Sequence, residues 1–205
     1  VHLSVDEEAR NLTARNHTAT HLLQKALKTV LGSHVEQAGA YYDDKRLRFD
    51  FTHFAALTKD ELKKVEEMVN QEIAKGELVK TEEMSLEDAK KSGAIALFGE
   101  KYGDKVRVVS VGDYSVELCG GTHVSQSGSI QGFKIVSEQG IAAGVRRIEA
   151  LTSQNLFDYF QKEEELLKEL SAKLKADPEH LLQRIESLEQ ELKSSKSDLD
   201  KLKEK

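Results

Sequence analysis

The distribution of glycine constrains this chain more than any other feature. All thirteen glycines lie within residues 1–153, and none lies in residues 154–205, where about 44% of positions are charged against about 28% before them. Glycine serves tight turns and close backbone approaches, so the first part is expected to be compact and loop-connected and the second nearly pure helix. The boundary is placed at about residue 153. At 205 residues, a chain of this length accommodates one domain plus an appendage.

The second part carries a heptad pattern. Leu167, Leu174, Leu181, Leu188 and Leu202 recur at intervals of seven, with Ser195 interrupting, and Ile185, Leu192 and Leu199 form a companion row offset by four. Asp177 and Pro178 split the pattern, since Asp can cap a new helix and Pro suits only its first turn. Two helices are predicted, over about 154–176 and from about 178 onward. A solvated spacer, an antiparallel hairpin and an intermolecular coiled coil all fit.

The first part mixes periods. Residues 7–31 read as a helix with Leu12, Ala19, Leu22, Leu23, Ala26, Leu27 and Val30 on one stripe. Tyr41 and Tyr42, a polar turn at 43–45, and the alternation of Leu47, Phe49 and Phe51 predict a hairpin. Thr58 and Glu61 form a capping-box pattern before a helix bearing Leu62, Val65, Met68, Val69 and Ile73, which Gly76 ends. Ser85 and Asp88 predict a short helix up to Gly93. Residues 106–111 and 114–118 form a second hairpin around Gly112 and Asp113, and 130–136 and 145–151 add strands. Helices and hairpins without βαβ alternation predict an α+β fold with a largely antiparallel sheet, followed by an all-helical, coiled-coil-like tail.

Thirty basic against thirty-six acidic residues leave a formal charge of −6, which argues against a generally basic nucleic-acid binder while leaving room for a local basic patch. No run of eighteen apolar residues exists, so no membrane partner is expected. A single cysteine forms no intrachain disulfide, and with no signal peptide a reducing, cytoplasmic location is expected. Val1 at the start suggests excision from a longer protein.

Two short patterns carry chemistry. His17 and His21, four apart on the first helix, lie one above the other and centre about 170° from the apolar stripe at 100° per residue. That spacing lets two imidazoles reach one ion. Cys119 and His123 are separated by Gly120, Gly121 and Thr122, and the glycines let the backbone fold tightly around an ion. Three nitrogens and one sulfur make a full tetrahedral set for one zinc per chain. A cysteine nucleophile with His123, His17 or His21 as base is the rival reading. No serine nucleophile elbow, P-loop or dinucleotide fingerprint occurs.

The blocks RNHTATHLL at 15–23, HVEQAG at 34–39, LRFDF at 47–51, ALFGEKYG at 96–103, CGGTH at 119–123 and GIAAGVRRIEA at 140–150 resemble, in order, the editing domain of alanyl-tRNA synthetase. The family commonly has Ser after the glycine of the second block, where Ala40 stands here. The helical tail resembles the start of that family's carboxy-terminal region, which implies self-association. The aminoacylation domain and its ATP site are absent from these residues.

The resemblance implies hydrolysis of the ester joining serine or glycine to the acceptor end of tRNA(Ala). An alanine pocket cannot exclude glycine and rejects serine poorly, because one methylene is worth only ~1–3 kcal/mol; a second, hydrolytic sieve supplies the rest. It assigns zinc to His17, His21, Cys119 and His123, and places Gln37 in the editing pocket with Cys119 as the catalytic pair. Four protein ligands suit a closed, structural site, whereas displacement of one would let zinc position substrate or activate water. Lys101, Tyr102, Gly144, Arg146 and Arg147 are candidate contacts to terminal nucleotides, and Thr18 and Thr20 candidate sensors of the serine hydroxyl. A stand-alone trans-editing deacylase and a non-catalytic, zinc-stabilised tRNA-binding or oligomerisation module are the alternatives.

Overall fold

The computed structural model describes residues 1–95 and 103–203. The chain divides into two units, Val1–Leu156 and Phe157–Lys205. The first is α+β and contains two antiparallel sheets rather than one. Strands β1 (Gln37–Tyr42), β2 (Leu47–Thr52), β6 (Phe133–Ala142) and β7 (Val145–Thr152) form a sheet in the order β1-β2-β7-β6. Strands β3 (Val79–Ser85), β4 (Lys105–Val111) and β5 (Ser115–Leu118) form the other, in chain order.

Helix α1 (Glu7–Leu31) is the central element. Asp6 caps its start by accepting a bond from the Ala9 amide at 3.0 Å. Its Leu22, Leu23, Ala26 and Leu27 pack with Phe49 and Phe51 of β2, Ile148 of β7, and Val65 and Val69 of helix α2 (Lys59–Lys75) in one apolar cluster. Thr58 and Glu61 close the capping box on α2, and Gly76 ends it in the left-handed conformation, φ +66°. Helix α3 (Leu86–Lys91) starts at a Ser85 cap and stops at Ser92, with Gly93 next in the left-handed region. Ala89 of α3 packs with Val106, Val108 and Leu118 in a second, smaller cluster.

Three local expectations are corrected. β3 was not anticipated: it is an edge strand, mostly exposed and carrying Lys80, Glu82 and Glu83, so it lacks the half-buried alternation that announces a strand. β6 runs past the expected end at 136 to Ala142 and meets β7 through a tight turn with Gly144 at φ +70°. Ile130 belongs to a 3₁₀ turn, and the strand begins at Phe133.

Helix α4 (Ser153–Leu174) begins within the first unit, where the Ser153 hydroxyl donates to the Ile130 carbonyl and Leu156 is buried. A 3₁₀ turn at Pro178–His180 precedes helix α5 (Leu181–Lys203). Asp177 precedes that turn without a side-chain cap bond, contrary to the expected role. Of the heptad residues, Leu181 is buried, whereas Leu167, Ile185, Leu192, Leu199 and Leu202 are exposed. Among the described residues no helix is long and apolar enough to cross a membrane.

Candidate metal centre

His17, His21, Cys119 and His123 converge, with one ligand atom from each lying within 4.8 Å of all the others, so the group can hold a metal ion. The Cys119 Sγ lies 3.3 Å from both His17 Nε2 and His123 Nε2. A tetrahedral zinc with ordinary Zn–N and Zn–S lengths separates its ligand atoms by roughly 3.3–3.6 Å. The donor set, the spacing and the chemistry of three imidazoles with one thiol therefore fit that ion.

Contrary to the off-stripe reading, the two helical histidines are buried, each 4% exposed. The apolar stripe packs against β2, β7 and α2, and the histidine face is covered by Tyr42 of β1, the β5 end and the turn after it. His17 is held from both sides. Its ring stacks on Tyr42 at 3.8 Å between centroids and 11° between planes, and a Cβ at Gly121 would stand 2.1 Å from its Cε1. On His17 it is Nε2 that faces the Cys119 Sγ, while its Nδ1 turns toward the glycine-rich turn; the His21 Nδ1 turns toward Glu117.

His123 is oriented by Thr18. The Thr18 hydroxyl donates to the Ala14 carbonyl at 2.9 Å and accepts from the Val124 amide at 3.2 Å. Its contact with His123 Nδ1 at 3.1 Å must then be donated by the ring, which leaves Nε2 as the lone pair aimed at the centre. The Glu117 Oε2 lies 3.5 Å from His21 Nδ1, an electrostatic contact without hydrogen-bond geometry.

The electrostatics keep the imidazoles neutral, as ligands must be. Burial brings His17 down to about 4, with Arg107 adding to the fall and the nearby Thr122 carbonyl opposing it. Burial and then His17 bring His21 to about 3; burial, His21, His17 and Arg107 bring His123 to about 2. Burial pushes the Glu117 carboxyl up to about 7.

An open cavity of about 470 Å³ adjoins the centre. His17, His21 and Cys119 border it with Thr20, Gln37, Ala40, Tyr42, Lys105, Arg107 and Glu117. Gln37 reaches it through a β-bulge. Gln37 pairs with Phe51 and Gly39 with Asp50, so Ala38 has no partner and the alternation slips by one. Gln37, Ala40 and Tyr42 thus stand opposite Phe51, Phe49 and Leu47, all on one face. A larger groove of about 780 Å³ borders β3 and β4, yet its lining holds none of the four converging residues.

The other candidates are distributed differently. Thr20 borders the cavity, its hydroxyl donating to the Asn16 carbonyl at 2.9 Å. Thr18 spends its hydroxyl on the ligand turn. Arg146 bonds Glu138, and Arg147 grips Asp50 with two bonds of 2.7 and 2.8 Å; neither borders the cavity, nor does Gly144. Lys101 and Tyr102 lie outside the described residues. Lys105, Arg107, Tyr42 and Glu117 were missed. Strand alternation offered a signal, since Glu117 and Cys119 share a face by period two.

Residues 106–149 match the family described as threonyl and alanyl tRNA synthetase second additional domain. Over all 205 residues the chain is 62% identical to alanine–tRNA ligase 1 of Lachnoclostridium phytofermentans and 52% identical to alanine–tRNA ligase of Acetivibrio thermocellus. Over 201 residues, 98% of the chain, it is 56% identical to alanine–tRNA ligase of Alkaliphilus metalliredigens. In each case the chain spans 23% of the relative's length. The chain is thus similar, from end to end, to a segment of the alanine–tRNA ligases, and within it residues 106–149 match the second additional domain of threonyl and alanyl tRNA synthetases.

Proposed function

We propose that this protein is the editing part of an alanine–tRNA ligase, a deacylase that hydrolyses the ester of seryl- or glycyl-tRNA(Ala), with one zinc held by His17, His21, Cys119 and His123. The observation that carries the reading is that three of the four ligands and Gln37 border one open cavity. Bound there, zinc supplies a Lewis acid and a fixed positive charge against substrate oxygen.

The chain's own residues do the remaining work. The Gln37 amide offers both a donor and an acceptor, enough to hold the substrate's amino group or ester carbonyl or to orient a water. Thr20, whose proton goes to Asn16, presents its oxygen as an acceptor for a serine hydroxyl. Ala40 adds a methyl to the wall. Lys105 and Arg107 bring positive charge to the cavity of an otherwise acidic chain, suited to an acceptor end rich in phosphate. Self-association is assigned to the helical tail, and the location is cytoplasmic. ATP is used only by parts of the parent enzyme outside these residues.

The test is the half-life of seryl-tRNA(Ala) at low salt with wild type, Cys119→Ala and no enzyme. Wild type shortens it and Cys119→Ala does not, while alanyl-tRNA(Ala) survives longer than the seryl ester. Raising the salt weakens the effect, because phosphate contacts release counterions. Equal half-lives in all three arms, with zinc present in the wild type, would instead make the protein a non-catalytic tRNA-binding or oligomerisation module.

A further inference from the structure

We propose that Arg107 is the positioning residue of the metal centre, holding the turn that carries Cys119 and His123 in the shape in which thiol and imidazole converge. The inference rests on the reading of the four residues as metal ligands. Two of those ligands, His17 and His21, stand on α1 and are placed by a helix packed on both sides. The other two stand on an irregular stretch after β5, where Gly120 and Gly121 enlarge the conformational freedom that must be given up on ordering. Something other than regular structure has to fix that stretch.

Residue 107 grips it three times. The Cys119 amide donates to the Arg107 carbonyl at 3.0 Å, extending the β4–β5 pairing by one step. The Arg107 Nη1 donates to the Cys119 carbonyl at 2.8 Å and to the Gly121 carbonyl at 2.6 Å. Two carbonyls, two residues apart, can meet one nitrogen only if the chain curls around it. The curl brings Gly121 against the His17 ring and His123 Nε2 to 3.3 Å from Cys119 Sγ. The remaining contact of the guanidinium, Nη2 to the Thr81 hydroxyl at 3.4 Å, is long, and no carboxylate pairs with it among the described residues. Arg107 is therefore committed to the ligand turn rather than to a surface ion pair. A planar guanidinium can serve both carbonyls and still lie flat along the strand, which a flexible ammonium does less well.

The test uses the full 205-residue chain with zinc alone as the probe, in competition with a chromogenic chelator, and cobalt(II) as a spectroscopic reporter of thiolate ligation. Arg107→Gln is expected to weaken zinc binding by about ten- to a hundred-fold, the usual cost of losing an outer partner of a metal site, and Arg107→Lys to restore part of the loss. The cobalt thiolate band should weaken or shift in Arg107→Gln while the far-ultraviolet circular dichroism stays that of wild type. If Arg107→Gln fails to fold, Arg107→Lys alone decides, and a zinc affinity measurably below wild type supports the assignment. Zinc affinity within twofold of wild type in the folded variants, with an unchanged cobalt spectrum, overturns it. Wild type that retains no zinc overturns the ligand reading itself, a result distinct from intact wild-type binding with indifferent variants.

Discussion

The His17 imidazole occupies a slot one ring thick, between the Tyr42 ring and the Cα of Gly121. Any side chain at 121 enters that slot. Gly121→Ala is therefore expected to expel His17 and abolish metal retention while leaving the apolar core, and so the circular dichroism, intact. A Gly121→Ala protein that binds zinc as wild type does would show that the slot yields to a methyl group. Thr18→Val keeps the shape and removes the hydroxyl that fixes His123; a fall of about ten- to a hundred-fold in zinc affinity is expected by chelator competition. The four converging residues were legible in the sequence from spacing and residue type. Their burial was not, because a helix with two different covered faces looks, by hydropathy alone, like one with a single core face. Arg107 was illegible for another reason: its role lies in bonds to main-chain carbonyls, which leave no pattern of residue types.

A second histidine pair lies at the end of the four-stranded sheet. His34 Nε2 and His53 Nδ1 share a 2.9 Å hydrogen bond, which requires one neutral ring. Burial, and then His34, hold His53 below its usual value. The unfolded chain consequently takes up this proton first as pH falls below about 6.5, and the pair's contribution to stability is lost going down through the folded value. Thermal melts between pH 7.5 and 5.5 should fall more steeply for wild type than for His53→Gln; parallel slopes would mean that the pair contributes nothing to the pH dependence of stability.

At the scale of elements, capping and turn chemistry were read almost to the residue. Thr58, Glu61 and Gly76 delimit α2 because each satisfies or ends a specific set of backbone bonds, and those needs are written locally. β3 and the β-bulge are not local facts. β3 is a strand because β4 lies beside it, and Gln37 faces the cavity because β2 forces Ala38 out of register. Gln37→Ala removes the amide from that face without touching the bulge or the four converging residues. Zinc should remain bound while ester hydrolysis is lost, a separation that paired metal and deacylation measurements on one preparation reveal. Retained hydrolysis would mean that Gln37 has no part in the reaction.

For the molecule as a whole, the change in composition near residue 153 marks where α4 starts, but the first unit runs on to Leu156. Leu156 is 5% exposed, and the Asn155 amide donates to the Asp44 carbonyl at 2.8 Å. A fragment ending at 156 should therefore fold and bind metal, while one ending at 153 loses a buried leucine and is less stable by about 3 kcal/mol, measurable by urea denaturation. Equal midpoints would place the boundary earlier. The heptad could be counted in the sequence, yet a seam specifies a partner only through what covers it, and most of its residues remain exposed here.

The proposed activity depends on four side chains, brought together from one helix and one glycine-rich turn, holding a zinc ion. Elemental analysis of the purified, chelator-free 205-residue protein tests this most directly. One zinc per chain in wild type, with a large loss in His21→Ala and Cys119→Ala, is the predicted result; wild-type protein that carries no zinc and retains none after zinc is added and dialysed away would contradict it.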